Sequence, residues 1–103
     1  MENEEDKELN SRTVAFKRVV EYLKKADGSL KLSQKDLLKL YGYFKQATVG
    51  NCTGSRPNVF KMKERAKYDA WKECANMPKS EAMHKYVEYA NEHIPSLKMH
   101  VSL

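Results

Sequence analysis

Apolar residues recur every three or four positions in four separate stretches of the chain, the spacing of one face of an α-helix. In the first stretch Phe16, Val19, Val20 and Leu23 make the stripe and Ala15, Tyr22 and Ala26 widen it. Lys17, Arg18, Glu21, Lys24 and Lys25 take the opposite side. The spacing predicts a helix running to about Ala26 from Ser11 or Thr13, either of which can cap it. The residues through Asn10 are then a frayed acidic extension. Asp27-Gly28 is a breaker within the polar stretch DGSLKLS, and Ser33 with Asp36 three positions on has the composition of a capping box. A second helix follows from Gln34 to about Val49, with Leu37, Leu40, Tyr41, Phe44 and Thr48 along one side and Gly50 as its stop.

The turn formers of NCTGSRPN separate that helix from a third, predicted over Met62 to Cys74, where Ala66, Ala70, Trp71 and Cys74 define an arc. Pro78 suits the first turn of a fourth. Its stripe is Ala82, Met83, Tyr86, Val87, Ala90 and Ile94, ended by Pro95, and SLKMHVSL remains as a tail. No strand pattern competes, and only the final SLKMHVSL alternates faintly. The expected fold is an all-α four-helix bundle, with an acidic extension over 1–12, the helical domain over 13–95 and a tail over 96–103.

At 103 residues the chain holds one modest core, too small for separate catalytic and substrate domains. An acidic start without an apolar segment predicts no signal peptide, and no charge-free apolar run is long enough to span a bilayer. Reduced thiols in a cytoplasmic setting are therefore expected for Cys52 and Cys74. Neither lies in a CxxC or beside a histidine pair, so no metal is expected. Asp69 and Glu73 sit one turn apart on a wet helix side, and His84, His93 and His100 have no serine or cysteine at a recognisable spacing. Nothing here points to an enzyme. The net charge of +5 hides an uneven distribution, because the first eight residues carry five acids and one lysine. A basic body attracts anions of any kind: nucleic acid, anionic lipid or phosphorylated small molecules.

Three lysines narrow that choice. At about 100° per residue Lys45 falls between Tyr41 and the flank of Leu38 and Val49, inside the apolar arc of the second helix. Lys63 and Lys67 lie one turn apart within the arc of the third. An amine buried among apolar groups costs heavy desolvation, so each lysine either snorkels to water or points into a cleft that holds an anion. The paired amines, and an aromatic ring one turn before Lys45, suit a polyanion that carries an aromatic group. Tyr86, in the middle of its stripe, is equally readable as core.

The run YGYFKQATVG, followed by SRP, KERAKYDAWKE and SEAMHKYVEYA, closely resembles the acyl-CoA-binding protein family over about residues 14 to 94. The resemblance implies a four-helix bundle that binds and carries medium- and long-chain acyl-CoA without chemistry or cofactor. It implies that Tyr41 stacks on adenine, that Lys45 and Lys67 meet the phosphates, that Tyr86 closes on the nucleotide, and that Lys63 lies near the acyl and headgroup region. Phe16, Val19, Val20, Leu38 and Val49 would border the acyl chain. Partners would be acyl-CoA and, transiently, membranes or acyl-CoA-using enzymes, with the chain a monomer that binds no nucleic acid. Three positions depart from the family wording: Phe44 and Tyr68, where tyrosine and tryptophan are common, and Lys61, where an acid is common. The rival reading is a basic helical adaptor for anionic membrane or nucleic acid, although the chain lacks a repeated basic stripe.

Overall fold

The computed structural model describes residues 3–26 and 30–97. Four helices account for most of them: α1 (Glu4–Ala26), α2 (Gln34–Thr48), α3 (Met62–Lys72) and α4 (Lys79–His93). The Asp27-Gly28 breaker, His100 and the rest of the tail beyond Leu97 lie outside the described residues.

The first helix starts earlier than its apolar stripe. Glu4, Glu5 and Asp6 occupy its first turn, where carboxylates favour the positive end of the helix dipole. Asn3 Oδ1 accepts from the Asp6 amide at 2.8 Å, as a cap does. Thr13 is no cap, since its hydroxyl donates to the Leu9 carbonyl within the helix (2.9 Å). The expected boundary between residues 12 and 13 thus falls inside an unbroken helix. Arg12 extends the tie, donating to Glu8 Oε1 at 2.8 Å and to Ser80 Oγ at 3.0 Å near the start of α4.

Helix α2 begins with the predicted capping box. Ser33 Oγ accepts from the Asp36 amide (3.1 Å) and Asp36 Oδ2 from the Ser33 amide (3.2 Å). It ends at Gly50, whose φ of +104° is open to glycine at little cost. Helix α3 is shorter than predicted, and the chain turns through Glu73–Asn76, with Asn76 at φ +70°.

Helix α4 packs against both α1 and α2, while α3 lies against α2. The core where these faces meet is Phe16, Val19, Leu40, Ala47, Ala82, Tyr86, Val87, Ala90, Ile94 and Leu97. Two expectations for α2 fail here. Leu37 and Thr48 are exposed, and the buried positions include Gln46 and Ala47. Leu37 instead borders two open cavities beside α2. Gln46 survives burial because its Nε2 donates to Asn51 Oδ1 (2.9 Å) and to the Met77 carbonyl (2.8 Å). Leu97, read as part of a tail, is wholly buried in the core.

Candidate functional site

The close approach of α2 and α3 depends on one glycine. A Cβ placed on Gly42 would stand 2.5 Å from the Ala70 carbonyl oxygen and 3.4 Å from Cys74 Sγ. With no side chain at that point, the two backbones meet and their flanking side chains cross. Lys45 of α2 lies over the indole of Trp71 in α3, with Nζ 4.8 Å from the ring centre. Lys67 of α3 lies over the phenol of Tyr41 in α2, at 5.4 Å. Each helix therefore rests a cation on the aromatic ring of the other. Trp71 is half-buried and not part of the central core; its Nε1–H donates to the Gly50 carbonyl at 2.7 Å, which pins the end of α2 beside it.

On the Leu37 side of α2 two cavities adjoin. One, of about 450 Å³, is lined by Leu23 of α1, Leu30 and Leu32 of the connecting loop, Leu37, Leu40, Tyr41 and Phe44 of α2, and Tyr86 of α4. The other, of about 390 Å³, is lined by Gln34, Leu37, Leu38 and Tyr41 of α2 together with Lys63, Ala66 and Lys67 of α3. Leu37 and Tyr41 belong to both, so the pair forms one trough that is leucine-rich at one end and carries two amines at the other. Among the described residues no carboxylate lines either part. A larger cavity, of about 710 Å³, borders the lysine-bearing one through Leu38 and Ala66, but Asp69 and Glu73 face it along with Lys35 and Lys39. Mixed charge makes that cavity a poor host for a polyanion. Burial pushes the Cys74 thiol up there, leaving it protonated and unreactive at neutral pH.

The trough gathers Tyr41, Lys63, Lys67, Leu38 and Tyr86. Lys45 sits one turn from Tyr41 but outside both cavities, over Trp71. Phe16 and Val19 belong to the core, Val20 is half-buried against it, and none of the three lines the trough. Val49 is exposed at the end of α2, also outside it. Tyr86 is both core and wall. It is buried to 6% exposure, its phenol is pushed up to about 12 by desolvation, and its ring meets Phe16 edge-on at 5.1 Å. Phe44 stands in that aromatic cluster, stacked on Phe16 at 6.0 Å, a place where a ring suffices without a hydroxyl. The sequence reading did not assign to the site the lining leucines Leu23, Leu30, Leu32, Leu37 and Leu40, nor Gln34, Phe44 and Ala66. An alternating Leu30-Lys31-Leu32 in an otherwise polar loop was the available signal.

The loop entering α3 is braced by Arg56, whose Nε and Nη2 donate to the two Asp69 oxygens at 2.8 and 2.7 Å and hold that carboxyl below its ordinary range. Tyr68 donates to the Gly54 carbonyl at 3.1 Å, so the ring that departs from the family wording also serves this loop.

Comparison with known proteins places this arrangement. The family model described as Acyl CoA binding protein matches residues 13–90. The chain is 51% identical over 72 residues to the acyl-CoA-binding protein of Brassica napus, a match spanning 70% of this chain and 76% of that one. It is 40% identical over 85 residues to acyl-CoA-binding domain-containing protein 5-B of Danio rerio, spanning 82% of this chain but 20% of that much longer protein. The crystal structure of Oryza sativa acyl-CoA-binding protein 2 superposes with a TM-score of 0.72 at 37% identity, covering 85% of this chain and 94% of the other. That of the Moniliophthora perniciosa protein gives 0.75 at 38%, covering 82% and 81%. Sequence over most of the chain and the shared helical fold agree: the chain belongs to the acyl-CoA-binding protein family.

Proposed function

We propose that the protein binds long-chain acyl-CoA in the trough beside α2 and carries or buffers it without altering it. The observation that carries this reading is the adjacency of a leucine-lined cavity and a lysine-bearing one that share Leu37 and Tyr41. Acyl-CoA has that same division, several phosphate charges and an adenine at one end and a hydrocarbon chain at the other. In this reading adenine stacks on Tyr41, and Lys67 leaves the Tyr41 ring to pair with phosphate. Lys45, held nearby over Trp71, supplies the second cation, and Lys63 stands at the junction of headgroup and chain. Tyr86 closes the inner wall. Leu38 borders the chain with Leu23, Leu30, Leu32 and Leu37, while Phe16, Val19 and Val20 support that wall from behind.

A lysine resting on a ring makes a modest contact at an exposed site, about 0.5–1 kcal/mol. A charge-assisted bond to a partly desolvated phosphate contributes about 1.5–3 kcal/mol, so the exchange favours the ligand. Each methylene laid into the leucine end adds about 0.8 kcal/mol until the trough ends. Affinity should therefore rise with chain length and fall sharply without the CoA moiety. The family is one of binding proteins, and among the described residues no carboxylate, histidine, serine or cysteine lines the trough.

Titration with long-chain acyl-CoA, free CoA and the matching fatty acid tests the reading. The thioester should bind far more tightly than either fragment, and equal affinity for the fatty acid would sink it. Lys45→Ala and Tyr41→Ala should each weaken binding roughly 10- to 100-fold with the fold intact. Wild-type affinity in both would show that lysine and tyrosine serve only the contact between α2 and α3.

A further inference from the structure

The turn that leads into α3 displays three apolar side chains to water. Val59 is 60% exposed, Phe60 91% and Met62 76%, the last two higher than any other large apolar residue of the described chain. A phenylalanine on a slack loop would fold back onto apolar surface, since burying it is strongly favourable. This loop is held instead. The Phe60 amide donates to Asn58 Oδ1 (3.0 Å), the Lys61 amide to the Asn58 carbonyl (3.0 Å) and Arg65 Nη1 to the Pro57 carbonyl (3.3 Å). With the Arg56–Asp69 pair behind it, the backbone keeps Phe60 outward.

The charges around this tip have one dominant sign. Lys61, Lys63, Arg65 and Lys67 follow in the next few residues against a single acid, Glu64. The tip is bounded by exposed lysines, the pattern by which apolar side chains enter a headgroup layer while cations pair with anionic lipid. A protein partner would need a pocket shaped for Phe60 and acids placed for the lysines; a bilayer meets both needs without a built complement. The same first turns of α3 carry Lys63 and Lys67 into the trough. Docking by this tip would hold the mouth of the trough against the bilayer surface.

We propose that Val59, Phe60 and Met62, with the flanking lysines, form a docking tip for anionic membranes. Its use, loading or unloading acyl-CoA at the lipid surface, rests on the function proposed above, whereas the docking itself does not. The tip inserts shallowly and reversibly, because its apolar area is small and the electrostatic part is screened by salt.

The test is co-sedimentation of the full, ligand-free chain with vesicles of phosphatidylcholine alone and of phosphatidylcholine with phosphatidylserine, at low and high salt. Partition onto the anionic vesicles should exceed that onto neutral ones by about tenfold or more at low salt and fall as salt rises. The double variant Val59→Ser with Phe60→Ser should lose about tenfold on anionic vesicles. Its thermal unfolding and acyl-CoA titration should match the wild type, which separates lost docking from lost folding. No binding by the wild type at low salt, or a double variant that partitions like the wild type, would overturn the proposal and leave the tip to a protein partner. Anionic vesicle binding by a chain that does not bind acyl-CoA would uphold the tip and remove the transport reading alone.

Discussion

Replacing Gly42 by alanine tests the geometry on which the site depends. The added methyl would lie 2.5 Å from the Ala70 carbonyl oxygen and 3.0 Å from its carbon, about 1 Å short of ordinary contact. Its obstacle is backbone of another helix, which no rotamer change can clear, so α3 must move away from α2. Overpacking of this kind costs about 1–3 kcal/mol. Alanine returns about 1 kcal/mol through its better helix propensity, leaving a net loss of up to about 2 kcal/mol. The displacement also draws Lys67 from Tyr41 and Trp71 from Lys45, so acyl-CoA affinity should fall although residue 42 lines no part of the trough. Urea unfolding followed by circular dichroism, paired with an acyl-CoA titration, reads both effects. A variant about 1 kcal/mol more stable than the wild type with unchanged affinity would refute the reasoning, because propensity alone would then be acting.

Leu97→Ala should cost about 2–5 kcal/mol in the same urea experiment, since Leu97 is fully buried, whereas a residue of a loose tail would cost nothing measurable. Leu37→Ala should leave stability within about 0.5 kcal/mol, because the side chain is exposed, yet weaken long-chain acyl-CoA more than short-chain. Stability should also fall at both extremes of pH. Tyr86 and Tyr89 are each pushed up to about 12, chiefly by desolvation, with Tyr89 also donating to Asp36 Oδ1 at 2.7 Å. Raised values mean that their contribution is whole below the ordinary phenol value near 10 and is lost as pH climbs from there through about 12. Asp36 is lowered, first by that Tyr89 hydroxyl and against the opposing effect of burial. Its contribution is present above its ordinary 3.8 and is lost as pH falls through the lowered value. Urea midpoints across pH should fall on both flanks, and Tyr89→Phe should flatten the acid one; an unchanged acid flank in that variant would separate Asp36 from Tyr89.

The helices were legible because each repeats its apolar residues along one face and announces its ends with Ser33 and Asp36, Gly50, or Pro78 and Pro95. The start of α1 was not. Its first turns carry little apolar patterning and are held by Asn3, a favourable dipole and pairs such as Glu8–Arg12, interactions that periodicity does not register. Two of the three misplaced lysines, Lys63 and Lys67, line the trough, whereas Lys45 lies outside it, and of the α1 stripe only a later residue reaches it. Phe16 and Val19 obey the helical stripe and are buried by α4 and α2, whereas Leu23, one turn later, reaches the trough.

By itself, then, the sequence determined four amphipathic segments, their order, and a set of cations and tyrosines set into or beside apolar stripes. Those are properties of neighbours three or four residues apart, which a single chain displays directly. Only the tertiary structure decided which apolar residues remain unpaired. Leu37 and Leu40 share one stripe of α2, yet Leu40 is buried in the core with residues of α4, whereas Leu37 is left exposed where the two cavities meet. Whether a leucine is core or binding wall depends on what stands across from it, and that is set by the packing of distant segments.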